Sequence, residues 1–111
     1  MSIKNIFRKI CKRKDKDDIT IQELNYMIKK LDNAILMDVR STQEYAEGHL
    51  PYSINLPLYE IENRVKNIIS DLSSIVIVYC QSGKRSKQGI KILKKKGYTN
   101  LYNLENGLDG I

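Results

Sequence analysis

Apolar positions along this chain fall into short runs and spaced stripes that alternate in kind. Ile19-Thr-Ile21 has the make-up of a short strand, and Leu24, Met27, Ile28 and Leu31 then recur at intervals of three and four, marking one helix face. Ala34-Ile-Leu-Met-Asp38 is a continuous apolar run ending on a polar residue, which predicts a buried strand. Ser41, with Glu44 three residues later, opens a helix of one to two turns that Gly48 stops. Ser53-Ile-Asn-Leu56 predicts another short strand, and Leu58, Ile61, Val65, Ile68, Ile69 and Leu72 outline an amphipathic helix. Ile75-Val-Ile-Val-Tyr79 reads as the central strand. A helix from Ser86 to Lys96 closed by Gly97, and a strand over Asn100–Leu104, complete the series. Strands alternating with helices through short links predict an α/β fold: a small, mostly parallel sheet of about five strands covered by helices on both faces. Right-handed crossovers would gather the carboxyl ends of several strands on one edge.

A chain of 111 residues suffices for one domain, and no apolar run approaches the ~18 residues of a membrane span. Charge divides it. Residues 1–14 carry six Lys or Arg and no acid, whereas the remainder holds basic and acidic residues in equal number. The expected organisation is a basic arm and charged linker over residues 1–18 and a folded domain over residues 19–111. Ile3, Ile6, Phe7 and Ile10 give the arm the spacing of a short amphipathic helix, suited to weak peripheral contact with an anionic membrane or a partner. A solvated tail fits it as well. A balanced domain is not expected to bind nucleic acid. Cys11 and Cys80 make no disulfide framework and point to a reducing, cytoplasmic setting, at the inner membrane face if the arm engages it.

Candidate chemistry lies directly after the central strand, in Cys80-Gln-Ser-Gly-Lys-Arg85. A cysteine at the carboxyl end of a buried strand stands where open α/β sheets place their ligand crevices. The following glycine, two cations and a helix N-terminus form an anion cradle, which can lower a thiol pKa from ~8.5 to roughly 3.5–7.5. The plain alternative is a small buried hydrophobe. Gly83, Lys84 and Arg85 argue against it, since a packing cysteine gains nothing from them.

Several segments together resemble the single-domain rhodanese family, sulfurtransferases that carry sulfane sulfur as a cysteine persulfide. Asp38-Val-Arg40 with Glu44-Tyr45 is similar to one family motif, and Gly48-His-Leu-Pro51 with Ser53-Ile-Asn55 to a second. Cys80 to Ser86 resembles the persulfide loop, and Gly97-Tyr98 through Leu104 with Gly107 the closing strand and turn. These matches run in family order from about Ile19 to Gly110. The resemblance implies Cys80 as persulfide carrier, a small donor such as thiosulfate, a thiol or protein acceptor, and no cofactor. Two departures stand out. Tyr52 occupies a place where the family usually has glycine, and the sequence runs out at Gly110-Ile111, where relatives continue through a tryptophan into a helix. One flank of the sheet is therefore expected to be less covered.

Four residues separate Cys80 from Arg85, one fewer than in cysteine phosphatases, so the ring of backbone donors suits one outer sulfur better than a phosphate or arsenate. Besides the sulfurtransferase, the residues leave open a protein-to-protein sulfur relay with little thiosulfate activity and, less favoured, a thiol phosphatase or arsenate reductase. Backbone amides from Gln81 to Ser86 would hold the anion, with Gly83 turning the chain and Lys84 attracting donors. Arg85 either lends charge to the thiolate or braces the loop on a carboxylate, bracing being favoured; Ser86 caps the helix and donates its hydroxyl to the sulfur. Asp38, Arg40 and Glu44 read as a carboxylate–guanidinium brace. His49 is the only histidine, so no metal site is expected, and its context reads as a turn rather than a base for Cys80. Tyr52 and Tyr59 either line the cleft entrance or are ordinary half-buried aromatics.

Overall fold

The computed structural model describes residues 17–111. The proposed amphipathic arm and Cys11 lie outside the described residues. Within them the strands are β1 (Asp18–Ile19), β2 (Ile35–Asp38), β3 (Ser53–Asn55), β4 (Ile75–Tyr79) and β5 (Asn100–Leu104). The α-helices are α1 (Ile21–Lys30), α2 (Thr42–Glu47), α3 (Ile61–Ile68) and α4 (Lys84–Lys95), with short 3-10 turns at Leu58–Glu60 and Gly107–Gly110. The strands form one sheet in the order β1-β5-β4-β2-β3, and every pairing is parallel.

The period of two along β4 divides the core. Val76 and Val78 face Val65 of α3 and Ile90 and Leu93 of α4, while Ile77 and Tyr79 face Leu24 and Met27 of α1 on the opposite side. Each of these apolar side chains is fully or almost fully buried, a contribution of about 1.5–3 kcal/mol apiece. The α/β sheet with helices on both faces is therefore the observed architecture. Cys80 leaves β4, the middle strand, with β2 and β5 beside it.

Several boundaries differ from the sequence expectation. The first strand ends at Ile19 because Thr20 caps α1: its hydroxyl accepts from the Glu23 N–H while the Glu23 carboxylate accepts from the Thr20 N–H. Asp18, read as the last linker residue, is instead a strand residue beside Asn103. The expected helix over 58–72 is a 3-10 turn followed by α3, which stops at Ile68; Ile69 is already extended yet stays buried. Finally, α4 begins at Lys84, before Ser86.

Beside α1 lies an apolar groove of about 440 Å³, lined among others by Ile21, Leu24, Ile28, Leu36, Leu50 and Tyr52. Tyr52 is 87% exposed and sits at φ 68°, the left-handed region that costs a side chain roughly 1–2 kcal/mol and favours glycine. None of the groove's lining residues comes from the Cys80 loop; Tyr52 lines this groove and is exposed rather than half-buried.

Candidate active site

Five apolar residues in β4 drive the chain into the core, and Cys80 follows with no exposed surface. The loop then reverses at Gly83, whose φ of 100° is left-handed, and α4 starts at the next residue. This geometry turns backbone donors onto the sulfur. The Gly83 N–H donates to Cys80 Sγ at 3.0 Å and the Ser86 N–H at 3.4 Å, with Ser86 Oγ at 3.5 Å. Burial pushes the Cys80 thiol up, but the Ser86 side chain and the N–H groups of Ser86, Gly83 and Ser82 outweigh it, leaving the pKa below its ordinary value.

The back of the loop is tied by the turn after β5. The Leu108 N–H donates to Cys80 O at 3.1 Å, and the Asp109 N–H to Gln81 O at 2.9 Å. Gln81 Nε2 also donates to Asp109 Oδ1 at 2.7 Å. Gly107 makes this approach possible: a Cβ there would stand 2.3 Å from Cys80 O.

The proposed brace is two separate pairs. Arg40 closes on Asp38, with Nη2 at 2.9 Å from Oδ2 and Nε at 3.1 Å from both oxygens. It reaches on to Gly48 O at 2.6 Å, so the pair joins the end of β2 to the turn after α2. Its hydrogen bond to Asp38 raises the Arg40 pKa. Glu44 pairs with Arg85: Nη1–Oε1 is 2.6 Å and Nη2–Oε2 3.0 Å. That bidentate bond, helped by the Ser41 N–H, holds the Glu44 carboxyl down at about 2 against the opposing effect of burial. Arg85 is thus engaged by a carboxylate, as the bracing alternative has it.

Other expected residues are placed less centrally. Ser82 and Lys84 are exposed on the loop rim. Ser86 is not the helix cap; Gly83 holds that position, and Ser86 lies in the first turn with its hydroxyl near Gly83 O, Asn103 Oδ1 and the sulfur. His49 stacks on Tyr45 at a ring separation of 3.7 Å, with Nδ1 2.7 Å from Tyr45 O, an exposed turn packing. Tyr59 is exposed. Sequence reasoning passed over Asn103 and the Leu108–Asp109 tie. The signal for Asn103 was present: period two in β5 puts it on the same face as buried Leu101.

A buried cysteine thus lies between the central parallel strand and a helix N-terminus of an α/β sheet, with the backbone N–H groups of Gly83 and Ser86 on its sulfur. The family model for the Rhodanese-like domain matches residues 20–111, and the chain belongs to that family. A sulfurtransferase of Allochromatium vinosum is 32% identical over 92 residues, covering 83% of this chain and 84% of that protein. The thiosulfate sulfurtransferase PspE of Escherichia coli is 37% identical over 67 residues, covering 60% and 64%. Among solved structures, the human single-domain sulfurtransferase TSTD1 superposes with a TM-score of 0.75 at 26% identity, covering 85% of this chain and 93% of the other. These three relatives are sulfurtransferases, and they support sulfur transfer as the general chemistry of the family. No helix among the described residues is long and apolar enough to cross a membrane.

Proposed function

We propose that Cys80 carries sulfane sulfur as a persulfide, taking it from a small donor such as thiosulfate and passing it to a thiophilic acceptor. The observation that supports this reading most is the convergence of the Gly83 and Ser86 N–H groups on a fully buried sulfur at the start of a twelve-residue helix. The Cys80 thiolate attacks the outer sulfur of thiosulfate; an S–S bond forms, the bond to the sulfite sulfur breaks with its electron pair, and sulfite leaves. The terminal sulfur then bears the negative charge, which preorganised amides stabilise without rearrangement. A thiophile attacks that sulfur in the second step and the Cys80 thiolate departs, ready for another round. Lys84, exposed at the rim, draws anionic donors toward the loop.

Arg85 bears on the rival phosphatase chemistry. A phosphoryl group needs a guanidinium on its oxygens, and here both terminal nitrogens are held by Glu44. Exposure to thiosulfate should add the mass of one sulfur atom to the intact protein, and cyanide should remove it as thiocyanate. Cys80→Ser should abolish the adduct and Cys11→Ser should leave it. An adduct confined to Cys11, or Cys80-dependent hydrolysis of aryl phosphates, would overturn the reading. Loading by a protein persulfide but not by thiosulfate would make the chain a relay.

A further inference from the structure

Ser86 has one hydroxyl proton and three acceptors around it. Its Oγ lies 3.0 Å from Gly83 O and 3.5 Å from Cys80 Sγ, and it also hydrogen-bonds Asn103 Oδ1. The Asn103 amide cannot reverse freely, because its Nδ2 donates to Asp18 Oδ1 at 2.8 Å. Its carbonyl oxygen therefore faces Ser86 and can only accept. Asn103 is 1% exposed and Ser86 wholly buried, so no water competes for this bond. Gly83 O already accepts from the Lys87 N–H at 3.4 Å. Asn103 Oδ1 thus has the strongest claim on the proton, and Ser86 presents a lone pair to the Cys80 thiol.

We propose that Asn103 is a positioning residue that keeps the Ser86 hydroxyl proton off the Cys80 sulfur. When Cys80 ionises, Ser86 can serve the thiolate only by turning its proton away from Asn103 Oδ1, which leaves a buried acceptor unpaired. The help that Ser86 gives the thiolate is accordingly weakened by that cost, and the sulfur stays more nucleophilic. Once a second sulfur is attached, the charge sits on the outer atom, the inner sulfur needs no donor, and Ser86 keeps its bond to Asn103 at no cost. The arrangement favours the loaded over the empty carrier; that consequence rests on the persulfide reading, whereas the proton's placement does not.

Among the described residues, the charged groups around the sulfur include Lys84 at the loop rim, Arg85 of α4 with its partner Glu44 of α2, the Asp38–Arg40 pair at the end of β2, and, behind Asn103, Asp18 of β1 with Lys87 of α4 at 3.8 Å. Asn103→Leu removes none of these charges, although Asp18 loses the hydrogen bond from the Asn103 amide. Without Asn103, the charged sulfur outcompetes the neutral Gly83 carbonyl for the Ser86 proton.

The test is the pH dependence of Cys80 alkylation by iodoacetamide, in the full chain carrying Cys11→Ser. Asn103→Leu should make the thiol roughly tenfold more acidic and slow the limiting alkylation of the thiolate. The same substitution made on top of Ser86→Ala should change neither. Asn103→Ala serves if Asn103→Leu fails to fold: it likewise takes the acceptor away from the Ser86 hydroxyl and leaves every charge in place. Its shift should run in the same direction and also vanish with Ser86→Ala. A thiol made less acidic by Asn103→Leu, or a shift that survives Ser86→Ala for either variant, would overturn the proposal. Failure of thiosulfate to load the unsubstituted chain would fault the persulfide reading instead, and would leave the alkylation result standing.

Discussion

The Asp38–Arg40 and Glu44–Arg85 pairs use the same two functional groups within one site, yet differ in reach and in contact with solvent. Asp38 and Arg40 are two residues apart, with side chains 0% and 5% exposed. Glu44 and Arg85 are 41 residues apart, with side chains 34% and 38% exposed. The first pair carries its own backbone satisfaction: the Arg40 N–H donates to Asp38 Oδ1 at 2.9 Å, and Asn55 Nδ2 donates to Asp38 O and Arg40 O, each at 3.0 Å. It shapes the end of β2 and holds the chain against β3. The second ties α2 to the cysteine loop across open surface. The difference teaches that one pair supports the fold under the site, while the other sets the loop's position at little cost in stability.

The largest effect should come from breaking the buried pair. Arg40→Met leaves the Asp38 carboxylate buried without its cation, and should lower unfolding free energy by about 3–5 kcal/mol. Urea denaturation reads this directly, and a loss below about 1 kcal/mol would erase the distinction between the pairs.

Arg85→Met should behave in the opposite way. Its half-exposed pair is worth at most about 1 kcal/mol, so the melting temperature should barely move. Release of the loop from α2 should nonetheless cost roughly tenfold or more in thiosulfate turnover, because small misplacements of a reacting group are expensive. A large fall in stability with normal turnover would reverse the assignment.

The pairs should also separate by pH. Glu44 has its folded pKa lowered from 4.5 to about 2, so the stability it confers is present in full above the unfolded value and is lost as pH falls toward 2. The small stability difference between the protein and its Glu44→Gln variant should be flat above about pH 5 and close between pH 4.5 and 2. Added salt should shrink it too. A difference that widened on acidification would contradict the pairing.

The smallest expected effect concerns a cation that neither pair holds. Lys84→Ala should raise the KM for thiosulfate a few-fold with little change in kcat, and the increase should fade as salt shortens the Debye length to about 8 Å or less. A change in kcat instead of KM would place Lys84 in the chemistry rather than in donor capture.

Much of this arrangement was legible in the chain. Ile75–Tyr79 could only be a buried strand, and Ser41 with Glu44 could be read as a capping box; the structure forms both reciprocal bonds there. Thr20 with Glu23 was the same signal and was missed, because Ile19 and Ile21 looked like continued alternation. The brace was read as one cluster since Asp38, Arg40 and Glu44 are near neighbours in sequence. A guanidinium 41 residues away took Glu44, and nothing local to Glu44 announces that partner. Asn103 and Gly107 were harder still, for their importance arises only where β5 and its turn lie against the back of the Cys80 loop.

What the sequence alone determined is what short-range physics governs: the strand–helix alternation, the caps, and a cysteine delivered by a β-branched run to a glycine turn and a helix N-terminus. These depend on periodicity and on hydrogen bonds that close within four residues. The tertiary structure decided which carboxylate meets which guanidinium, that Tyr52 belongs to the α1 groove, and which acceptor stands nearest the Ser86 hydroxyl. Those outcomes depend on the order β1-β5-β4-β2-β3, which lays Asp18, Asn103 and Ser86 side by side although the first two are 85 positions apart in the chain. Contacts between distant segments are fixed by how the sheet is assembled, and no pattern within one segment encodes the neighbour it will meet.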